Sequence, residues 1–595
     1  MNRRDIMNDV MNDVVNKKFE QYEKKIVVLL LAIFFTTAVA SMAQEAATSD
    51  EVAHLTAGYA YLKEGDYRFN EEHPPLVKLI AAVPLLIINP KFPLNSRYWD
   101  KEPDQWKFAK DFLYSGKNNP NNPDQLFFWG RLPLVFLGVL LGFYVFRWAK
   151  ELYGAKAGML ALFFYSFSPE ILAHTKYVHT DLAMSAGLLI TTYYFWRLLE
   201  HPTWKNTLIA GICLGLTNAA KFTGVYLFPI LTVLWMIHFY EKKLKRDINN
   251  IRSEENKRYI RLFLEKGIMM ILITILIVAA TYGFVHAGRY LDGLKYVINH
   301  STNGQETFLL GEYSIHGWWY YFVVAFFIKT PLTTIIFLMI TLVFFKRIKH
   351  QDITNELFII VPAVLYFISF MVGHLNIGVR HILPVYPFIF IFVSKAVNIR
   401  IEKRGRQRVI MLIGGILLLW YLVASVKIYP HYIEYFNELV GGSDNGYRYL
   451  LDSNIDWGQD TKLLKEWLVE NNADNQDTRI SLFSNELINN PKGYNDFYRF
   501  QNTKLVSCQP TPGIVAISVN KLYDLGQRQK GCADWLKQYA PFKKIGYSIF
   551  LYNITNERLI KTKNECEQLC IPSCQEQNQT YYDYYYKEKC MCICE

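Results

Sequence analysis

The 595-residue chain contains few charged residues for its length. Only 20% of its residues are Asp, Glu, Lys or Arg, whereas 51% are hydrophobic and 16% are aromatic. The apolar residues form long runs, several of which reach the length needed to cross a bilayer. They lack the shorter helical or strand periodicity of a soluble domain. The composition therefore excludes one compact soluble domain and predicts a polytopic α-helical membrane protein.

A single basic face is also missing, although the formal net charge is +11. The Lys and Arg residues lie between apolar runs, which argues against nucleic-acid binding. Cytoplasmic loops of membrane proteins are enriched in these residues, and that accounts for the charge.

About eleven transmembrane helices are predicted from the apolar runs. The runs are residues 26–43, 127–147, 157–172, 182–199, 206–219, 223–240, 267–287, 318–345, 356–373, 382–398 and 408–427.

Loop charges predict the orientation of these helices. If residues 1–25 are the cytoplasmic N-terminus, the basic loops 241–266, 346–350 and 399–408 are all cytoplasmic, as the positive-inside rule requires. The long loop 44–126, the loop 288–317 and everything after about residue 428 are then outside.

Residues 429–560 are predicted to form an extracytoplasmic α/β domain. Residues 460–471 have helical spacing. The segments 479–483, 513–519 and 545–552 have the composition of strands.

Cysteine is scarce except near the C-terminus, where eight of the nine cysteines lie. An even number in an extracytoplasmic domain indicates disulfides, and Cys508 with Cys532 is the simplest pair to propose. The other six form a Cys-rich tail at 561–595, for which disulfides and a metal site both stay open.

Five polar clusters lie on the predicted outer side, at the boundaries of apolar segments. Each one alone fits a structural role, such as a helix cap at Asp50 or Asp181 or a snorkelling lysine at Lys221. Together they are more informative, because acids and bases from distant segments share one side of the membrane. The clusters are Asp50-Glu51 with His54, Glu72-His73-Pro74-Pro75-Leu76 with Lys78, His179-Thr180-Asp181, Lys221 within 218–224, and Arg380-His381 within 378–384.

The first two clusters also carry helix-boundary signals. Ser49 or Asp50 is expected to cap a helix over 51–63 that ends at Gly65. Pro74 and Pro75 are an ordinary entry to a further amphipathic helix.

The order of these motifs resembles the C superfamily of glycosyltransferases, in the branch of protein O-mannosyltransferases and their bacterial and archaeal relatives. The similarity extends over roughly residues 25–560. The eukaryotic mannosyltransferases carry a β-trefoil domain between spans, and no insertion here is long enough for one. The matching residues are Asp50-Glu51, His73-Pro74-Pro75-Leu76 with Lys78, Asp181, Lys221-Phe222-Thr223-Gly224, Arg380 to Pro384 with Tyr386-Pro387, Gly317-Trp318-Trp319-Tyr320-Tyr321, Lys329-Thr330-Pro331 and Asp452 to Gln459.

The resemblance implies an inverting transfer of a sugar from a polyprenyl phosphate (dolichyl or undecaprenyl) to a hydroxyl of a protein, lipid or glycan outside the membrane. Residues 26–428 would form the transmembrane glycosyltransferase domain, with 44–126 as its outer catalytic loop. The absence of a cytoplasmic segment large enough for a nucleotide-sugar domain also favours a lipid-linked donor.

The same resemblance assigns roles to residues of this chain. Asp50, Glu51 and Asp181 are the expected catalytic residues, with Asp50 as the general base for the acceptor hydroxyl. The expected ligands of the donor phosphate are Lys221, Arg380 and His73. The expected substrate-binding residues are His54, Lys78 and His381.

The sequence leaves the cofactor, the function class and the membrane open. No cofactor is certain; a divalent metal could bind Asp50, Glu51, His54, His73 and Asp181, but their spacing does not specify a site. A transporter, or a noncatalytic protein that keeps the fold, is the alternative, although no internal repeat of the transporter kind is visible. The absence of a β-trefoil favours a prokaryotic plasma membrane over the endoplasmic reticulum.

Overall fold

The computed structural model describes most of the chain. The described residues are 3–114, 121–245, 254–348, 353–399, 404–475, 477–483, 503–525, 530–559, 568, 581–587 and 589–594. The basic residues of 246–253, 349–352 and 400–403 lie outside this part, as do Cys566, Cys570 and Cys574.

Helices dominate the described residues. In chain order they are α1 (Arg3–Met42), α2 (Ser49–Glu64), α3 (Leu76–Ile88), α4 (Arg97–Asp100), α5 (Gln105–Tyr114), α6 (Pro123–Tyr153), α7 (Ala155–Ser166), α8 (Pro169–Thr175), α9 (Asp181–Glu200), α10 (Trp204–Ala220), α11 (Leu227–Lys245), α12 (Glu254–Thr281), α13 (Arg289–Asn303), α14 (Tyr321–Lys329), α15 (Leu332–Val343), α16 (Ile353–Met371), α17 (Tyr386–Ser394), α18 (Arg404–Ile428), α19 (Thr461–Glu470) and α20 (Val519–Leu522). Short 3-10 helices connect them at Phe222–Tyr226, Phe345–Arg347, Val379–Val385, Lys395–Asn398, Tyr432–Glu434, Glu438–Val440, Ser443–Arg448, Asp452–Asn454 and Asp534–Leu536.

Seven helical stretches of the described residues are long and apolar enough to cross a membrane. They are Gln21–Met42, Pro123–Tyr153, Phe222–Glu241, Tyr259–Thr281, Ile353–Met371, Val379–Asn398 and Gly405–Ile428. The predicted class, a polytopic α-helical membrane protein, is confirmed.

The predicted run 318–345 is helical but not straight. α14 and α15 meet at a bend of 107°, and Pro331 lies at the break because proline cannot continue the hydrogen-bond ladder of a helix. Counted as one span, this pair raises the total to eight. The predicted runs 157–172, 182–199 and 206–219 fall on α7 with α8, α9 and α10, which are shorter or less apolar, so the count of eleven stays a prediction.

The loop 44–126, which was predicted to lie outside the membrane, contains the helices α2 to α5 in its described residues. α2 begins after Thr48, where the Glu51 carboxylate accepts hydrogen bonds from the Thr48 backbone N–H and hydroxyl. It ends at Gly65, whose φ of +66° favours glycine. The predicted end is confirmed, whereas the N-terminal cap is Thr48 and not Ser49 or Asp50. α3 begins directly after Pro75, as predicted.

A five-stranded sheet forms the core of the C-terminal region, in the order β4-β3-β5-β7-β6. β5 is parallel to β3 and antiparallel to β7. The strands of the whole chain are β1 (Thr307–Leu309), β2 (Glu312–Ser314), β3 (Thr478–Ser481), β4 (Lys504–Leu505), β5 (Gly513–Ser518), β6 (Lys543–Ile545), β7 (Ile549–Ile554), β8 (Tyr581–Lys587) and β9 (Lys589–Cys594).

The predicted α/β character of this region is confirmed, and one predicted strand is wrong in detail. Residues 545–552 form the hairpin of β6 and β7, because Gly546 adopts φ +55° and reverses the chain. The predicted helix 460–471 is α19. The proposed Cys508–Cys532 disulfide is confirmed.

Candidate active site

Four charged side chains from four separate segments meet at one end of the membrane helices. Asp181, at the start of α9, accepts a hydrogen bond from Lys221 and is 3% exposed. Nη1 of Arg380 lies 2.9 Å from Oδ2 of Asp50, in the first turn of α2, and 3.8 Å from Oδ2 of Asp181. Arg380 therefore lies between the two carboxylates, and the cluster holds two acids and two bases.

Exposure distinguishes the two acids of this cluster. The Asp50 side chain is 28% exposed, whereas that of Asp181 is nearly inaccessible. Burial raises the pKa of the Asp50 carboxyl, but the charge and hydrogen bond of Arg380 outweigh it, so the pKa lies below its usual value. Asp50 is thus ionised and open to a ligand.

Three histidines surround these charges. Nδ1 of His179 lies 3.1 Å from both the backbone nitrogen and Oδ2 of Asp181. Nδ1 of His54 lies 2.8 Å from the carbonyl oxygen of Val178, and the His54 and His73 rings are 5.1 Å apart, edge to face. Burial lowers the pKa of His54 to about 4, although the Asp50 charge opposes the shift. Burial also holds the pKa of His73 well below its ordinary value, so both rings are neutral near pH 7.

Glu51 lies next to Asp50 in α2, but both oxygens of its carboxylate accept hydrogen bonds from other groups of the protein. Arg131 donates to both oxygens, through Nε at 2.8 Å and Nη2 at 2.7 Å. The backbone N–H of Val178 donates to Oε1 at 2.8 Å. These bonds link α2, α6 and the segment that leads to His179 and Asp181, so Glu51 holds the surroundings of the acids in place.

Lys78 is likewise buried and satisfied. Its ammonium donates to the Tyr61 hydroxyl at 2.9 Å, to the Asn70 carbonyl at 2.6 Å and to the His73 carbonyl at 2.7 Å. These bonds fix the loop that presents His73. His381 packs near Phe370, and its Nε2 has no hydrogen-bond partner among the described residues.

The segment Asp452–Gln459 completes the surroundings. The resemblance included this segment among its matching residues but gave it no role in the site. The Arg380 guanidinium lies 4.2 Å from the Trp457 ring centroid, a cation–π contact. The Trp457 carbonyl accepts from the backbone N–H of Ser49 at 3.0 Å. Asn454 Oδ1 accepts from the backbone N–H of Val379 at 2.9 Å. One segment of the C-terminal region thus holds the backbone next to both Asp50 and Arg380.

Asp452 adds a third acid near Arg380. Burial raises the pKa of its carboxyl to about 6, although the Arg380 charge opposes the shift.

Arg131 is a further residue of these surroundings that the sequence motifs did not indicate. An arginine inside the apolar run 127–147 was the available signal, since charged residues within spans are rare without a partner.

The acids and histidines predicted as a possible metal site do not converge on one point. Within the described part of the chain, the one group of three His, Cys, Asp or Glu whose ligand atoms lie within 4.8 Å of one another is at another position. The cluster around Asp50 and Asp181 is therefore a set of ion pairs in this structure.

A family comparison identifies one part of the chain. Residues 125–251 match the family described as dolichyl-phosphate-mannose-protein mannosyltransferase. No curated protein is significantly similar to the chain.

Solved structures show a distant likeness over a larger part. ArnT from Cupriavidus metallidurans bound to undecaprenyl phosphate is 12% identical, with 88% of this chain and 97% of that chain covered and a TM-score of 0.45. The archaeal oligosaccharyltransferase AglB from Archaeoglobus fulgidus, in complex with an inhibitory peptide and a dolichol-phosphate, is 12% identical, with 90% and 74% covered and a TM-score of 0.45. The S. cerevisiae protein O-mannosyltransferase Pmt1-Pmt2 complex, bound to its sugar donor, is 14% identical, with 49% and 39% covered and a TM-score of 0.34.

The match of residues 125–251 to the dolichyl-phosphate-mannose-protein mannosyltransferase family agrees with the resemblance that the sequence motifs predicted.

Proposed function

We propose that this membrane protein is a glycosyltransferase that moves a sugar from a polyprenyl phosphate to an acceptor hydroxyl outside the membrane. The observation that carries the proposal is the cluster of Asp50, Asp181, Lys221 and Arg380. It combines one accessible carboxylate with two cations at a helix boundary, which are the groups this reaction needs.

In the proposed reaction, the acceptor hydroxyl oxygen attacks the anomeric carbon while Asp50 takes the hydroxyl proton. The bond between the anomeric carbon and the phosphate oxygen breaks, and the phosphate keeps the electron pair. Attack from the face opposite the phosphate inverts the anomeric configuration. The sugar phosphate already carries a good leaving group, so no strong general acid is required.

Arg380 and Lys221 are the proposed phosphate ligands, because each is a cation whose present partner is a carboxylate of the cluster. The donor phosphodiester carries one negative charge and gains a second as its bond to the anomeric carbon breaks. It can therefore compete for both cations, and the guanidinium fork can bind two of its oxygens. In this proposal His73 lies near the phosphate, and His54 and His381 contact the substrates. Asp181 orients Lys221.

This arrangement links donor binding to the basicity of Asp50. Arg380 holds the pKa of Asp50 down while the two are paired, which makes Asp50 a weak base. A donor phosphate that draws Arg380 away, and brings negative charge nearby, raises that pKa. Asp50 then becomes a better base only when a donor is bound.

The proposal assigns supporting roles to Glu51 and Lys78, since the hydrogen bonds of both are occupied by protein groups. It keeps residues 26–428 as the transferase domain with the outer loop 44–126, followed by an extracytoplasmic domain at 429–560. The acceptor class covers hydroxyls of proteins, lipids and glycans. The membrane is the plasma membrane of a prokaryote.

The test is transfer from a panel of radiolabelled polyprenyl-phosphate sugars by membranes that contain the wild type, Asp50→Asn or Asp66→Asn. Loss of the base is expected to reduce transfer by about 10²- to 10⁴-fold. Asp66→Asn is the matched control, because Asp66 also pairs with an arginine of the outer loop, Arg68, at 2.6 Å. Wild-type activity in Asp50→Asn would remove Asp50 as the base. No transfer by any folded form, with lipid, peptide and glycan acceptors supplied, would contradict the enzyme assignment and make solute flux the next measurement.

A further inference from the structure

A second cluster of titratable side chains lies between the last membrane helix and the C-terminal region. His431 follows the end of α18, Glu434 closes the 3-10 helix Tyr432–Glu434, and Asp460 directly precedes α19. One ligand atom from each of the three lies within 4.8 Å of the others. Nδ1 of His431 is 3.3 Å from Oδ1 of Asp460 and 3.9 Å from Oε1 of Glu434.

In each carboxylate, one oxygen accepts a hydrogen bond from a neutral side chain and the other oxygen does not. Oε1 of Glu434 accepts from the Gln459 amide at 2.8 Å, and Oδ2 of Asp460 accepts from the Ser548 hydroxyl at 2.6 Å. Oε2 of Glu434 is buried and has no hydrogen-bond partner among the described residues, whereas Oδ1 of Asp460 lies 3.3 Å from Nδ1 of His431. Both carboxylates are 0% exposed, so each remaining oxygen needs a partner other than bulk water.

The two lysines that act on this cluster each have another acid beside them. Lys176 pairs with Glu45 at 2.6 Å, and Lys329 lies 3.6 Å from Glu170. Two buried acids whose neighbouring lysines are engaged elsewhere leave room for further positive charge, which a proton or a metal ion can supply.

The surroundings of the cluster orient its donor groups. Gln459 donates to Glu434 and Ser548 donates to Asp460, and hydrogen bonds of this kind hold the ligands of metal sites in their orientation. The turn between β6 and β7 passes closely over Asp460. A Cβ on Gly546 would lie 2.1 Å from its Oδ2, so only glycine fits there.

We propose that His431, Glu434 and Asp460 form a binding site for a divalent transition-metal ion, Zn²⁺ by the chemistry of the donors. One imidazole and two carboxylates suit Zn²⁺, and their charge matches that of a divalent ion. The His431 side chain is 20% exposed, so the site is open on one side and a water can complete four-coordination. This site is separate from the proposed active site and does not depend on the proposed transferase activity.

Such an ion would connect the end of α18 to the start of α19. The chain between these ends contains Asp452–Gln459, the segment that supports the backbone next to Asp50 and Arg380. Metal binding would thus stabilise the attachment of the C-terminal region to the membrane helices. Binding to the folded form alone raises the melting temperature in proportion to ln[metal].

The experiment uses the full-length protein in detergent, with any affinity tag removed, equilibrated with Zn²⁺ and then desalted. Mass spectrometry of the metal content is expected to give about one zinc per chain, and chelation is expected to lower the melting temperature until Zn²⁺ is restored. X-ray absorption of the wild type should show nitrogen and oxygen ligands that include one imidazole. This spectrum tests the site without any variant.

Two sets of variants locate the metal. Glu434→Gln with Asp460→Asn removes the negative ligands but keeps acceptors for Gln459 and Ser548, so it should fold and lose the zinc. His316→Ala with His374→Ala removes an exposed histidine pair with rings 5.4 Å apart and should keep it. Loss of zinc only from the His316/His374 variant would show surface binding and overturn the proposal. Absence of retained metal in the wild type would also overturn it and leave a proton shared by the two acids.

Discussion

At the scale of single residues, Arg380 is the side chain that joins the two halves of the site. It contacts Asp50 and Asp181 with one nitrogen and covers Trp457 with the plane of its guanidinium. A lysine could supply the charge but not the flat surface and fork. Its replacement should therefore affect both the donor and the base.

Arg380→Gln is expected to raise the KM for the donor by about ten- to a hundredfold, since a hydrogen bond to a charged group contributes about 1.5–3 kcal/mol. It should also shift the pH profile. Arg380 lowers the pKa of Asp50 while burial raises it, so without Arg380 the pKa rises. Asp50 must be ionised to act as a base, and activity should then be lost at a higher pH as the pH falls.

The measurement is kcat/KM against pH for the wild type, Arg380→Gln and Arg68→Gln. Arg68 is the control because its partner is Asp66, away from the cluster. An acid limb that stays in place in Arg380→Gln would show that Arg380 does not set the pKa of the base.

At the scale of elements, the segment Asp452–Gln459 fixes the loops that carry Asp50 and Arg380. The Asn454 side chain makes three hydrogen bonds there. It accepts from the Val379 N–H, and its amide donates to the Tyr321 hydroxyl at 3.0 Å and the Leu451 carbonyl at 2.7 Å. Arg380 follows Val379 directly, so Asn454 is a positioning residue for Arg380.

Asn454→Ala is expected to lower the free energy of unfolding by about 2–4 kcal/mol, because three buried hydrogen bonds are lost. If Asn454 positions Arg380, the variant should also raise the donor KM by more than the acceptor KM, which a purely structural loss would not do. Thermal unfolding and steady-state kinetics in one detergent measure both effects. Asn445→Ala, at a half-buried asparagine whose side chain makes one hydrogen bond of 3.3 Å, should change neither. Equal changes in the two KM values for Asn454→Ala would contradict the positioning role.

At the scale of the whole molecule, a buried ion pair connects the loop 44–126 to the membrane helices. Glu51 of α2 and Arg131 of α6 are 0% and 2% exposed. Arg131 also donates to the carbonyls of Met42 at 2.9 Å and Ala46 at 2.7 Å, at the connection of α1 to α2. The pair thus orients three helices around the acids of the site.

Removal of one partner leaves an isolated buried charge, which costs about 3–5 kcal/mol. Glu51→Gln and Arg131→Met should therefore each be strongly destabilising, and the double variant should cost less than their sum by about 1–3 kcal/mol. A double-mutant cycle on melting in detergent checks this. The same cycle on Arg147 and Glu151, a more exposed pair at 3.1 Å on α6, should give no more than about 0.5 kcal/mol. Additive effects at Glu51 and Arg131 would contradict a coupled pair.

The sequence alone determined the membrane class, most helix positions and the identity of the charged residues that meet at the site. Apolar run length suffices for the helices, because a bilayer imposes it on each segment locally. The boundaries at Gly65 and Pro75 followed from local backbone chemistry for the same reason.

Only the tertiary structure decided what each charged residue contacts. Asp50 and Glu51 are neighbours in the chain, yet one is open to a ligand and the other is enclosed by Arg131 and backbone donors. The supporting segment Asp452–Gln459 and the triad His431, Glu434 and Asp460 depend on contacts between parts of the chain that are far apart in sequence. Burial and partner geometry set the role of an ionisable group, and both arise only when distant segments pack together.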